Sequence, residues 1–364
     1  MKKNKLLIAI GSVVLIGIVS FLAYKAQNKG ISDGVIRVGA ILPLTGKHAD
    51  AGNSIRVGLE FAKRKLNEES GRNHEVYYFD TKSDPKNAIT GYRMLKDTKG
   101  VKMFFTTISE NGLAIKPAIL RDGGLLFAIL SHVDILLNRK GSIFRFLQTG
   151  EDEANFMSDY LVDKLVAKRI ALFVFNAEAG ISFKKTFVKR LGGQIIGLYD
   201  YEESPESIKA LVSTVNLQDA DCVVVVGYSP SMGNVIKQIR QAGYKKEIVA
   251  NIGFNNPSIL AAAGDAVNSV WFNDYDLPYG TRNHEELTTR AKREYNTPFT
   301  SLSYIAYGAM GLINSACKRN DGMVEDMIKE CLNASATNSY GGVRFVIHPD
   351  GRVITGLKMT SFSK

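Results

Sequence analysis

The sequence lacks the residue patterns that most catalytic and metal sites need. Its five histidines are scattered without H-x-H or H-E-x-x-H spacing, and its three cysteines show no zinc spacing. No G-x-G-x-x-G follows a strand-like segment, and no G-x-S-x-G turn occurs. We therefore expect no metal, no cofactor and no catalytic residues, and we predict that the chain is not an enzyme.

Acidic residues are absent before Asp33, and this accounts for half of the net charge. The formal net charge is +10 at pH 7, and five of these charges come from lysines near the N-terminus: Lys2, Lys3, Lys5, Lys25 and Lys29. Basic and aromatic residues do not interleave on any one segment, so no nucleic-acid-binding stripe is predicted.

The longest apolar run also lies at the N-terminus. Residues 6–24 form an apolar segment of about 19 residues, which as a helix is just long enough to cross a hydrocarbon core. The preceding lysines keep that end cytoplasmic, so the rest of the chain is predicted to be exported to the periplasm or cell surface. Residues 1–29 are either a cleaved signal peptide or an uncleaved anchor. The poor small-x-small cleavage site favours a tether formed by residues 6–24.

Three cysteines suit an exported chain without requiring a disulfide. Cys222 stands in a strand-like apolar run, where a thiol packs as a small apolar group. Cys317 and Cys331 lie on neighbouring helical stretches and could pair in an oxidising compartment, but the sequence does not show their separation.

The remaining chain alternates between strand-like and helix-like segments. Val35–Leu42 is an apolar run typical of a buried strand, and Asn53–Asn67 repeats apolar residues at helical spacing. The same alternation begins again at Glu151 and ends in helices and a hairpin. This pattern predicts an α/β fold with two doubly wound parallel-sheet lobes, preceded by the N-terminal hydrophobic helix.

Proline is scarce, with nine residues, and no Pro/Gly/Ser-rich linker divides the chain. The crossings between lobes are therefore expected to be short, forming a three-crossing hinge near Thr149, Asp276 and Tyr340. These positions predict an N-terminal lobe of residues 34–148 plus 277–339. The C-terminal lobe is then residues 149–276 plus 340–364.

Five motifs occur in the order found in one family. They are an opening strand and loop, an acidic strand end, a strand–turn–helix, a return strand and a closing hairpin: Ile36–Gly46, Asp80–Ala88, Gly227–Gly243, Ala263–Phe272 and Gly341–Gly351. Together they resemble the branched-chain amino-acid (leucine/isoleucine/valine-type) periplasmic binding proteins of ABC transporters. The resemblance covers residues 34–364 and implies the type I periplasmic-binding-protein fold.

The resemblance also implies a function. The chain is expected to be an extracytoplasmic solute-binding protein that captures a small polar ligand in the interlobe cleft by hinge closure. It would deliver this ligand to an ABC permease in the inner membrane. The alternative is a ligand-sensing regulatory module on the same fold, acting through an envelope or membrane partner.

In the first lobe, the resemblance places the ligand's carboxylate at two loops. These correspond to Ser109-Glu110-Asn111 and Ser131-His132. A hydroxyl beside a helix start is a suitable anion site. Ser109 could equally be an ordinary helix cap, and His132 a surface-loop histidine.

In the second lobe, the resemblance implies a tyrosine and an acid. Tyr228 corresponds to the tyrosine, although it could simply be a packed rim aromatic. The acid falls on Asn251 or Ile252, and neither carries charge, so the ammonium group of an ordinary free amino acid would lack a partner. A carboxylate, an amide or a small peptide-like ligand would suit this neutral lobe better, and the expected ligand class is amino-acid-like, amide or carboxylate. Asp274 or Asp276 could supply the missing charge.

Another acidic stretch, Glu151-Asp152-Glu153, is predicted only to stabilise the first turn of a helix.

Overall fold

The computed structural model describes residues 35–131, 141–319, 330 and 339–362. The predicted signal or anchor at 1–29, His132 and Cys331 lie outside the described residues. None of the helices in the described ranges combines the length and apolar composition needed to cross a bilayer.

Strands and helices alternate along the described chain. The strands are β1 Val35–Leu42, β2 Asn73–Asp80, β3 Met103–Thr107, β4 Leu125–Ile129, β5 Ile143–Phe146, β6 Ile170–Phe175, β7 Ile195–Tyr201, β8 Cys222–Val226, β9 Glu247–Ala250, β10 Val270–Tyr275, β11 Ser339–Tyr340, β12 Val343–Ile347, β13 Arg352–Thr355 and β14 Leu357–Ser361. The α-helices are α1 Ala49–Glu69, α2 Pro85–Lys99, α3 Ser109–Asp122, α4 Gly150–Asp159, α5 Glu178–Leu191, α6 Pro205–Thr214, α7 Pro230–Gln241, α8 Pro257–Ala263, α9 Arg282–Tyr295 and α10 Ser301–Arg319. A π-helical turn, Tyr160–Lys164, follows α4.

The strands form two sheets. The eight-stranded sheet has the order β11-β12-β13-β5-β4-β3-β1-β2, and the six-stranded sheet has the order β14-β10-β9-β8-β6-β7. Strands β1 to β4 of the first sheet pair in parallel, and so do strands β6 to β9 of the second sheet, as predicted. The sheets are mixed rather than parallel throughout, because β11–β12 and β10–β14 pair antiparallel. Only two residues separate β11 from β12, which is too short for the long crossover that parallel pairing requires.

The chain divides into two compact units. Unit 1 comprises Met1–Arg145 and Gly280–Arg352, and unit 2 comprises Phe146–Tyr279 and Val353–Lys364. The third boundary therefore follows Arg352 and lies later than the expected crossing near Tyr340. The reason is packing within unit 1, where Val343 and Phe345 of β12 lie against Gly308 of α10.

Both units repeat one strand order. In unit 1 the order is β2-β1-β3-β4-β5, and in unit 2 it is β7-β6-β8-β9-β10. In unit 1, β2 follows β1 on one side and the later strands continue from β3 on the other side, so the strand order reverses between β1 and β3. In unit 2 the same reversal occurs between β6 and β8. In open α/β sheets, ligands bind outside the carboxyl ends of the strands at such a switch point.

Burial on both faces explains the apolar strands. Every residue of β3, β4 and β8 is buried. In unit 2, alternate residues of β8 enter different cores: Val223 and Val225 pack on one face of the sheet, and Val224 and Val226 on the other. Polar groups on these strands can therefore be placed only at the strand ends.

Helices α1 and α10 approach closely at a glycine. A Cβ added to Gly58 would lie 2.1 Å from the backbone oxygen of Ser303. The hydroxyl of Ser303 also donates a hydrogen bond to the Ser54 oxygen over 2.7 Å. The two helices can keep this separation only if residue 58 has no side chain.

We predict that Gly58→Ala lowers the free energy of unfolding by roughly 1–3 kcal/mol, because overpacking outweighs the better helix propensity of alanine. Gly192→Ala is the control, since Gly192 has helical backbone angles and no atom within 4 Å of an added Cβ. Urea unfolding of both variants measures the difference. Equal stability of the two variants would contradict the predicted contact.

Candidate functional site

In unit 1, the strand ends carry buried polar side chains. Asn111 is fully buried in the first turn of α3, and its amide nitrogen donates to the Thr81 hydroxyl over 3.3 Å. Ser131, just after β4, is also fully buried. Ser109 begins α3 and is half-buried, whereas Glu110 is exposed. The predicted residues Ser109, Glu110 and Asn111 thus lie at the carboxyl edge of the sheet, as does Ser131.

Three polar atoms at this edge have no hydrogen-bond partner among the described residues. They are Thr107 Oγ1, Asn111 Oδ1 and Ser131 Oγ. Thr107 pairs with Ile129 across β3 and β4, two residues before Ser131, so two of these groups lie at neighbouring strand ends. A buried polar atom without a partner is costly, and a bound polar ligand would satisfy it.

The backbone is strained beside two of the predicted site residues. Ile108 has φ 60° and Leu130 has φ 56°, and they immediately precede Ser109 and Ser131. Bulky side chains rarely adopt positive φ, which costs on the order of 1 kcal/mol or more for each residue. Such strain is typical of positions where the fold fixes the direction of a functional segment.

Sequence reasoning missed Arg145 in unit 1. Its side chain is fully buried on β5, and its Nη1 donates to the Ser131 oxygen over 3.1 Å. The arginine therefore fixes the backbone of a predicted site residue. The signal was available, because Arg145 is the one charged residue in the apolar segment Ile143–Phe146.

In unit 2, Asn251 joins the ends of two strands. Its Oδ1 accepts a hydrogen bond from the Gly227 backbone nitrogen over 2.9 Å, and the side chain is fully buried. A Cβ added to Gly253 would meet the Gly227 oxygen at 2.3 Å and the Tyr228 ring at 3.0 Å. The structure thus brings Tyr228 and Asn251 together at the carboxyl ends of β8 and β9.

A third side chain, the acid Glu153 of α4, lies in this cluster. It is 2% exposed. Its Oε2 accepts hydrogen bonds from the Ile252 backbone nitrogen at 3.2 Å and from Asn273 Nδ2 at 3.0 Å. The Tyr228 hydroxyl lies 3.5 Å from Oε1. A carboxyl group is therefore present beside Asn251 and Ile252, where the sequence indicated that charge was missing.

The helix-start prediction for Glu151-Asp152-Glu153 holds for only part of the stretch. Asp152 forms a capping box with Thr149, whose hydroxyl accepts a hydrogen bond from the Asp152 nitrogen at 3.0 Å. Glu153 instead points into unit 2. One of the two aspartates suggested as a replacement charge, Asp274, is buried and accepts a hydrogen bond from Asn255 at 2.9 Å.

Burial dominates the electrostatics of the cluster. It raises the pKa of Glu153 to about 7, although the hydrogen bonds from Asn273, Ile252 and Tyr228 act in the opposite direction. Burial, followed by the nearby Glu153 charge, raises the pKa of Tyr228 well above its usual value. The tyrosine is thus neutral at physiological pH, while Glu153 changes charge close to neutrality.

No group of three or more His, Cys, Asp or Glu side chains in the described part of the chain could hold a metal ion. Cys222 and Cys317 are buried. Because Cys331 lies outside the described residues, its pairing with Cys317 stays a prediction.

Comparison with known proteins identifies the fold. A family model described as periplasmic binding protein matches residues 35–364. The Leu/Ile/Val-binding protein homolog 3 of Brucella melitensis biotype 1 is 23% identical over 339 residues, covering 90% of this chain and 87% of that protein.

Solved structures show the same architecture. A branched-chain amino acid transporter substrate binding protein from Streptococcus pneumoniae, in complex with isoleucine, has a TM-score of 0.71 and 20% identity over 90% of this chain and 96% of that one. A branched chain amino acid ABC transporter periplasmic ligand-binding protein from Burkholderia xenovorans has a TM-score of 0.78 and 16% identity, over 90% of each chain. The fold is therefore the predicted type I periplasmic binding fold.

We predict that stability falls as pH rises toward neutrality because of Glu153. Its pKa is about 7 in the folded protein against a usual 4.5, so the folded state holds the proton more tightly between these values. The free energy of unfolding then decreases by up to roughly 3 kcal/mol across this interval and levels off above it.

Urea unfolding of the wild type and Glu153→Gln at pH 5 and 7.5 measures this effect. The variant should gain stability relative to the wild type at the higher pH. Glu151→Gln, which changes an exposed acid on the same helix, should follow the wild type. Parallel behaviour of Glu153→Gln and the wild type would contradict the prediction.

Proposed function

The chain belongs to the periplasmic binding protein family, and on that premise we propose that it is an extracytoplasmic solute-binding protein for branched-chain amino acids. It would hand its ligand to an ABC permease. Its relatives support this ligand class, since they are a homolog of the Leu/Ile/Val-binding protein and binding proteins of branched-chain amino-acid transporters.

The observation that carries the proposal is the set of unsatisfied polar atoms in unit 1. Thr107, Asn111 and Ser131 offer hydrogen-bonding groups beside the start of α3. The free backbone N–H groups of a helix start attract an anion. We assign the ligand's carboxylate to this edge, with Ser109 and Ser131 as contacts. The other residues predicted for this edge are His132 and Glu110.

Unit 2 offers groups that suit an ammonium ion. Tyr228 and Asn251 stand at adjoining strand ends, and Glu153 provides a carboxyl group beside them. This replaces the expectation of an uncharged second unit and removes the main objection to a free amino acid. An ammonium group enclosed without a carboxylate partner would be costly.

The predicted tether suits this function. If residues 6–24 remain in the membrane, the binding domain stays close to its permease. Tethering raises the effective concentration of one partner at the other without any new contact between them. The two units would act as the lobes of the predicted hinge.

We predict that L-isoleucine, L-leucine or L-valine stabilises the protein in a thermal-shift assay. A ligand at about a thousand times its dissociation constant adds roughly 4 kcal/mol to the free energy of unfolding. Amides, dicarboxylates and sugars serve as comparison ligands. A shift with one of those classes and none with the three amino acids would show that the ligand assignment is wrong.

Ser131→Ala should weaken isoleucine binding about tenfold, through the loss of one hydrogen bond. Its stability should not fall, because Ser131 Oγ has no partner in the described part of the chain. Ser303→Ala is the matched control for a buried serine of unit 1. Its hydroxyl bonds to Ser54, so it should lose about 1 kcal/mol of stability and keep its affinity. Titration calorimetry and urea unfolding measure both properties, and full affinity in Ser131→Ala would remove Ser131 from the site.

A further inference from the structure

The two oxygens of the Glu153 carboxyl have different surroundings. Oε2 receives two N–H donors, from Ile252 and Asn273, at 3.2 and 3.0 Å. Among the described residues, Oε1 has only the Tyr228 hydroxyl as a neighbouring donor, at 3.5 Å. A carboxylate can accept about four hydrogen bonds, two on each oxygen. The acceptor capacity that remains is therefore concentrated on Oε1.

This asymmetry fits a neutral carboxylic acid. The doubly bonded oxygen of an acid accepts from donors, as Oε2 does, and its O–H needs an acceptor. A tyrosine hydroxyl can accept as well as donate. With the proton on Oε1, the contact to Tyr228 runs from the acid to the phenol oxygen. Every polar atom of the carboxyl group then has a partner of the right kind.

The groups that face Glu153 do not neutralise a negative charge there. Asp152 on the same helix is acidic, and Tyr228 and Tyr275 approach from the ends of β8 and β10 as neutral phenols. Asn273 is an amide, and Asp274 beyond it adds further negative charge near Tyr275. No lysine or arginine of the described residues forms an ion pair with Glu153. The ionised form therefore lacks a counter-ion in unit 2.

We propose that Glu153 makes ligand capture proton-coupled: it is a carboxylic acid in the free protein and loses its proton when a cationic amino group docks between Oε1 and the Tyr228 hydroxyl. This inference rests on the proposed function, because it requires a ligand that carries an ammonium group. The O–H bond of the acid breaks, the proton passes to solvent, and an ion pair between carboxylate and ammonium forms. No oxidant, reductant or further reactant is needed.

The proposal explains how unit 2 would discriminate between ligands. An α-amino acid supplies the counter-ion that the buried carboxylate lacks. The corresponding α-keto acid has the same side chain and carboxylate but no ammonium group, so it leaves Glu153 protonated. Binding of the amino acid should therefore strengthen as pH rises through the pKa of about 7, whereas binding of the keto acid should not.

The test is titration calorimetry of the full chain with L-leucine and with 4-methyl-2-oxopentanoate, between pH 5.5 and 7.5. We expect leucine affinity to rise roughly tenfold or more over this range. Repeating the titration in two buffers with different ionisation enthalpies counts the protons released. The expected value approaches one proton for leucine at pH 6 and zero for the keto acid.

Variants locate the effect. Glu153→Gln should bind leucine more weakly at pH 7.5, without pH dependence and without proton release. Glu151→Gln, the control on the same helix, should behave as the wild type. The two-buffer titration of the wild type needs no variant, so it shows whether binding releases a proton even if Glu153→Gln does not fold.

The outcomes separate the two hypotheses. If leucine binds with the same affinity at every pH and releases no proton, proton coupling is wrong and solute binding stands. If the keto acid shows the same pH dependence as leucine, the titrating group does not recognise the ammonium group, and the proposed pairing of Glu153 with the ammonium is wrong. If neither leucine, isoleucine nor valine binds at any pH, the proposed function itself is wrong.

Discussion

Enclosure of the sheets on both faces is the constraint on which the rest of the structure depends. Strands such as β3, β4 and β8 have no exposed residue, so their middle portions can hold only side chains that need no water. Polar chemistry is thereby restricted to the edges of each sheet. Because the strands from β1 to β4 run parallel, as do those from β6 to β9, their carboxyl ends collect the polar groups of several separate segments.

The two units use that edge in different ways. Unit 1 presents hydroxyl and amide groups beside the start of a helix, where an anion is favoured. Unit 2 presents a buried carboxyl group among an asparagine pair and a tyrosine. An amino acid carries both kinds of charge at its α-carbon. The difference follows from which polar side chains the strand ends of each unit supply.

The architecture could be predicted from the sequence because it depends on local patterns. Apolar runs and helical spacing locate β1 and α1, and the motifs around Asp80 and Gly227 indicate the family. The closing hairpin was predicted from its turn, but the antiparallel pairing of β10 with β14 was not, since a short strand carries no signal for its partner. The placement of β12 in unit 1 depends on the contact of Phe345 with Gly308, which no local pattern encodes.

The candidate site was only partly predictable, for a physical reason. Ser131, Tyr228 and Asn251 lie within two residues of a strand end, and Asn111 lies in the first turn of the helix after β3. Their positions could therefore be inferred from the chain. Glu153 and Arg145 belong to the site because their side chains are buried. Their burial depends on contacts with segments distant in sequence, which local patterns do not reveal. One local signal existed for Glu153. Asp152 already completes the capping box with Thr149, so a further acid in the same turn was not needed for capping.

The packing of α1 against α10 has a consequence for the order in which the chain can fold. Ser303 bonds to Ser54 across 249 positions of sequence, and all of unit 2 except its last strand is synthesised between them. Contacts of such long range make folding slow, because a large loop must close before they contribute. Until α10 emerges, α1 has no partner for the face that contains Gly58, whereas β6 to β9 already have theirs. Unit 2 can therefore acquire most of its structure during synthesis, while unit 1 must wait for the last quarter of the chain.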